Sequence, residues 1–68
     1  MTTFIAHIGI GANLGDAQAT VRTALLALAG LRGCQLQRAS SIYRSAPVEA
    51  GGPDFYNAVA VLETTLPP

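Results

Sequence analysis

One amphipathic helix has to serve three extended segments, and that mismatch limits what this 68-residue chain can fold into. Helical periodicity occurs once. After the turn "GANLGD", Val21, Ala24, Leu25, Leu28 and Leu31 recur at three- and four-residue steps and make a single apolar stripe. Asp16 stands where its carboxylate can accept from a free backbone N–H of the first turn. Gly30 weakens the last turn, and Gly33 is the expected stop. Before the helix, "TFIAHIGI" alternates: Phe4, Ala6, Ile8 and Ile10 point one way, and Ile5, His7 and Gly9 the other. Both sides are largely apolar, which suits an interior strand. Residues 35–44 alternate patchily and predict a strand near an edge. "FYNAVAVLETT" carries β-branched and small residues on both faces and predicts a central strand, with Pro67 and Pro68 preventing its continuation.

The order strand, helix, strand, strand is the first half of a split β-α-β layout. The expected fold is therefore an α+β, ferredoxin-like sandwich with only its N-terminal β-α-β-β part present. Residues 1–68 read as one partial domain, with no internal repeat and no linker. A second helix and a fourth strand would complete it, and without them the core reads as unfinished and the "TFIAHIGI" strand as an unprotected edge. A chain of this size buries only about 60% of its unfolded surface even when complete. Disulfide and metal staples are absent: Cys34 is the single cysteine and His7 the single histidine. Both are expected to be structural, Cys34 as an ordinary thiol and His7 as a residue of the core or sheet face.

Charge narrows the function classes. Half of the residues are hydrophobic and 12% are charged, which excludes a disordered chain. Formal net charge is zero, and the arginines at 22, 32, 38 and 44 are scattered along the sequence. Nucleic-acid binding needs a basic face that displaces counterions from phosphates, so no nucleic-acid partner is expected. No apolar run is long enough to span a bilayer, and "MTTFIAHIGI" lacks the basic start and cleavage site of a secretory signal. No membrane partner is expected, and the lone cysteine fits a reducing, cytoplasmic setting.

Two phosphate-loop readings of "GIGANLG" fail. The dinucleotide fingerprint beginning at Gly9 and Gly11 needs glycine at position 14, where Leu14 stands. A Walker A loop needs lysine, and the sequence has none. Taken alone, these residues make a tight strand-to-helix turn, with Asn13 as a turn residue.

Three segments in register say more. Gly11-Ala12-Asn13-Leu14-Gly15 follows the first strand, Ser40, Tyr43, Ser45 and Pro47 form an S-x-x-Y-x-[TS]-x-P segment, and Pro53, Phe55, Asn57 and Ala58 form P-x-[FY]-x-N-A before a strand ending Glu63-Thr64. In this order and spacing the chain resembles the N-terminal half of the hydroxymethyl-dihydropterin pyrophosphokinases of folate biosynthesis, over essentially its whole length. The resemblance implies a transferase that moves pyrophosphate from ATP to 6-hydroxymethyl-7,8-dihydropterin and releases AMP. It implies that the flat pterin sits against the loop before the last strand. Phe55 would stack on a ring face, and Asn57 would offer its amide to the polar edge. Main-chain groups around Ser45, Ala46 and Val48 would meet the rest of that edge. Tyr43 and Tyr56 are expected to be structural.

The same resemblance implies Mg2+ with ATP as co-substrate, held in the family by an Asp-x-Asp pair and several arginines of the C-terminal half. No D-x-D occurs in this sequence, and none of its arginines stands at a family catalytic position. The expectation is thus a pterin-side half with no catalytic or metal-binding residue of its own, inactive alone, and either self-associating or completed by a C-terminal segment. A second reading from another class stays beside it: a small non-catalytic α/β module that associates through an open sheet edge.

Overall fold

A computed structural model describes residues 2–48 and 51–67. It contains β1 (Phe4–Ala12), α1 (Ala17–Ala29), β2 (Cys34–Ala39), β3 (Tyr43–Ser45) and β4 (Phe55–Thr64). All pairings are antiparallel and all converge on β4, with β1 along one side and β2 then β3 along the other. β1 and β2, joined by α1, therefore run parallel to each other with β4 between them. The chain is α+β, with one helix and one antiparallel sheet among the described residues.

The central place predicted for the last strand holds, because its small residues admit a helix on one face. Ala58, Ala60 and Leu62 are buried, as are Ala17 and Val21 of α1. Phe4, Ala6, Ile8 and Ile10 of β1 are half-buried on the same side. Asp16 caps α1 as expected, its Oδ1 accepting from the Ala19 N–H at 3.2 Å. Two details of the helix differ from expectation. It ends at Ala29 with Gly30 as C-cap, so Leu31 lies beyond the stripe and is exposed. Gly33, at φ +82°, instead turns the chain into β2. Pro68 lies outside the described residues.

The strand predicted over residues 35–44 is two strands. Leu36 faces Leu62 but Arg38 faces Val61, so one extra residue bulges out of β2. Another is inserted between the pairs Ala39–Ala60 and Tyr43–Asn57. Ser40 holds the chain at this second break. Its N–H donates to the Val59 carbonyl at 2.8 Å, and its Oγ accepts from the Val59 N–H at 2.8 Å. A hydroxyl thus takes the place of a backbone carbonyl in the ladder. Replacing Ser40 by alanine leaves the Val59 N–H without that partner and is expected to destabilise the fold by about 1–2 kcal/mol. Urea denaturation checks this, and an unchanged midpoint would show that water replaces the hydroxyl without loss.

β1 is also not interior. Among the described residues it pairs with β4 alone, and its other edge is free. The sheet face away from α1 carries Ile5, His7, Gly9 and Gly11 of β1 beside Phe55, Asn57, Val59, Val61 and Glu63 of β4, with no second layer over it among the described residues. His7 is accordingly a sheet-face residue. The Cα radius of gyration is 13.7 Å, against about 11 Å for a compact chain of this length. One helix closes one side of the sheet only.

Candidate functional site

β3 and the start of β4 form a hairpin whose connection, residues 46–54, is the loop rich in proline and glycine. The register sets Tyr43 against Asn57, Arg44 against Tyr56 and Ser45 against Phe55. Gly51 and Gly52, at φ +74° and +93°, bring the chain back toward β4 through backbone conformations that side-chain-bearing residues rarely adopt. Arg44 Nε and Asp54 Oδ2 lie 3.6 Å apart across the base of the loop. Both are well exposed, so this pair orients the hairpin more than it stabilises it.

Phe55 and Asn57 share the sheet face away from α1, two residues apart on one strand. Both are half-buried. Tyr56 points to the helix side, as expected of a packing residue. Ser45 ends β3, and its hydroxyl joins the corner directly: Asn57 Nδ2 donates to Ser45 Oγ at 2.9 Å and to the Tyr43 carbonyl at 3.4 Å. Across β4 the partner of Asn57 is Gly11, and a Cβ there would lie 3.2 Å from Asn57 Oδ1. Ala46 and Val48 are in the loop, Val48 fully exposed. The structure therefore gathers Ser45, Phe55 and Asn57, while Ala46 and Val48 stand in the loop that borders them. Glu49 lies outside the described residues.

Sequence reasoning missed two contributors to this corner, the Tyr43 carbonyl and Gly11. The first is a backbone group and leaves no mark in the sequence. The second was visible only as a turn glycine; its position opposite Asn57 follows from the β1–β4 register. A hollow of about 420 Å³ lies at the other end of that ladder, beside Phe4, Ile5, His7, Leu62 and Leu66. Its lining is largely apolar and wraps the end of β1, drawing on both of its faces.

The three described carboxylates do not converge. Asp16 caps α1, Asp54 faces Arg44, and Glu63 accepts from Gln37 Nε2 at 3.3 Å. Among the described residues no three of His, Cys, Asp or Glu stand close enough to hold a metal ion. Each of these three carboxylates is engaged within its own part of the fold. Cys34 Sγ–H donates to Thr64 Oγ1 at 3.2 Å, a structural contact. No described helix is long and apolar enough to cross a membrane.

Residues 7–68 match the family model described as 7,8-dihydro-6-hydroxymethylpterin-pyrophosphokinase (HPPK). The 2-amino-4-hydroxy-6-hydroxymethyldihydropteridine pyrophosphokinase of Pseudomonas putida is 38% identical over 66 residues, covering 97% of this chain and 55% of that protein. Its namesake from Haemophilus influenzae is 39% identical over 64 residues, covering 93% of this chain and 40% of that protein. The Synechocystis protein of the same name is 33% identical over 63 residues, covering 93% and 32%. The chain spans about half, or less, of the length of these curated relatives. On the family match and on these identities, it belongs to the 7,8-dihydro-6-hydroxymethylpterin-pyrophosphokinase family.

Proposed function

We propose that this chain supplies the pterin-binding side of a folate-biosynthesis pyrophosphokinase, with 6-hydroxymethyl-7,8-dihydropterin as the small-molecule substrate and Mg2+–ATP as the pyrophosphate donor. The observation that carries the reading is the corner itself: Phe55 and Asn57 on one sheet face, with Asn57 hydrogen-bonded to Ser45 at the mouth of the hairpin loop. A flat bicyclic ring with a polar edge needs an aromatic surface and a held amide, and this corner offers both. Backbone groups of Ser45, Ala46 and Val48 border the same place. The ATP and metal side belongs to residues other than those described, in a full ferredoxin-like sandwich that this sheet would begin. Family membership gives the non-catalytic module no support.

Titration of the chain with 6-hydroxymethyl-7,8-dihydropterin tests the reading. Saturable binding is expected for the pterin and much weaker binding for ATP. Asn57→Ala should weaken the pterin by about 1–3 kcal/mol, because polar atoms on its edge lose a buried partner. Phe55→Ala should weaken it by at least the stacking contribution, about 0.5–1.5 kcal/mol. A pterin affinity that neither substitution changes would sink the assignment of this corner.

A further inference from the structure

We propose that two copies of this chain pair through β1, and that the pairing builds a site for a divalent transition-metal ion of the zinc class from the His7 of each copy. The backbone of β4 decides which groups the free edge offers. Val59 turns both its N–H and its carbonyl toward Ser40, away from β1. Gly9, opposite Val59, therefore has its own N–H and carbonyl turned outward from β4. By the two-residue period of the strand, so do Ile5, His7 and Gly11. A single register matches these outward residues among themselves: antiparallel, Ile5 against Gly11 and His7 against Gly9 of the other copy, about a twofold axis at Ile8. Charge favours the same partner. β1 is the one described strand without Lys, Arg, Asp or Glu, whereas β2 carries Arg38, β3 Arg44 and β4 Glu63. The opposite edge of the sheet is interrupted by the bulge before Arg38 and by the break at Ser40. A second β1 thus meets no unpaired charge, and the symmetric pairing closes at two copies.

On the uncovered face, that register sets the two His7 side chains diagonally across the axis, about 7–8 Å apart at the backbone, a separation that ring side chains bridge. The other two corners of this square are the Gly9 of each copy, where a Cβ would meet nothing within 4 Å. No side chain therefore stands between the imidazoles. Imidazole nitrogen suits zinc, nickel and copper, and two rings converging over the glycine floor hold one ion, each at about 2.0–2.1 Å for zinc, with water completing its coordination. Val61 stands beside His7 on β4, and Glu63, the one acid of that strand, is engaged by Gln37. Within a single copy His7 is a lone ligand, so the site is incomplete without the second.

Sedimentation velocity with added zinc chloride, paired with equilibrium dialysis of the metal, tests the site. Free zinc at about ten times its dissociation constant should tighten dimerisation about 10-fold, with one ion bound per two chains. Magnesium chloride, whose ion prefers oxygen ligands, should have no such effect. The ring resonances of His7, which no other histidine overlaps, should shift with the same stoichiometry. His7→Ala, at an exposed position, should leave the metal-free dimer intact and abolish the zinc effect, while Cys34→Ser should retain it. A zinc effect that survives His7→Ala, or one ion bound per chain, would place the metal elsewhere and overturn the site. A dimer whose affinity zinc leaves unchanged would overturn it too. Assemblies larger than dimers would contradict the closed pairing. A chain that stays monomeric with and without zinc would leave the β1 edge to a strand of another sequence, and the whole proposal would fail.

Discussion

No AMP is expected when the 68-residue polypeptide is mixed with magnesium, ATP and 6-hydroxymethyl-7,8-dihydropterin. Pyrophosphoryl transfer needs cations that bridge phosphate oxygens and positive side chains that take up charge as the bond to the leaving group lengthens. Those groups must converge within a few ångströms of one another. Here Asp16 serves a helix cap, Asp54 faces Arg44, and Glu63 answers Gln37. The arginines are divided among α1, the turn after it, β2 and β3. Enzymes accelerate their reactions by about a million-fold or more, so a polypeptide without converging metal and triphosphate groups would be inactive and not merely slow. Chromatographic detection of AMP after prolonged incubation reads this directly. Pterin-dependent AMP from polypeptide free of contaminating enzyme would show that the chain holds a phosphoryl-transfer site that its sequence does not reveal.

The sequence made the helix-facing half of this molecule legible and left the irregular half obscure, for physical reasons. Periodicity reports burial, and α1 packs Val21, Ala24, Leu25 and Leu28 against a sheet face whose own residues alternate cleanly in β1 and β4. The Asp16 cap is a local interaction over three residues and can be read without knowing the fold. The division of β2 from β3 is different. It depends on one bulge near Gln37 and on Ser40 bonding to Val59, nineteen residues away, and no local pattern announces a contact at that range. The edge place of β1, expected of a sheet without its second half, is not legible from its composition either. Its two apolar faces say what should cover the strand above and below, but not what lies beside it.

The site divides along the same line. That Phe55 and Asn57 share a face follows from the two-residue period of a strand, and the structure agrees. Their proposed role toward a pterin rests on the family resemblance; residue chemistry alone favours a core ring and a strand-start amide. What sequence reasoning could not supply is the partner set of the amide. Ser45 reaches Asn57 across the hairpin and Gly11 reaches it across β4, so both relations exist only once the two registers are known.

At micromolar concentration the 68-residue polypeptide is expected to be dimeric or aggregated rather than monomeric. β1 offers a row of unpaired backbone groups along its free edge, and its nine residues include no lysine, proline or acid to discourage another strand. The sheet face away from α1 adds exposed apolar surface, with Ile5 59% and Val59 41% accessible. Zero net charge supplies no repulsion between copies. One antiparallel self-pairing suits β1 particularly well. Centred on Ile8, which meets its own copy, it sets Phe4 against Ala12, Ile5 against Gly11, Ala6 against Ile10 and His7 against Gly9, so that apart from the central pair each larger side chain meets a smaller residue. This register also keeps like faces together, so the two copies would extend a single sheet with both helices on one side. Sedimentation velocity should therefore show species of at least twice the chain mass. Ile5→Lys, which places a charge on the exposed edge without touching the buried layer, should shift the population toward monomer. A wild-type chain that sediments as a compact monomer and unfolds cooperatively would show that one helix over one face suffices to close this sheet, and the need for a completing partner strand would disappear.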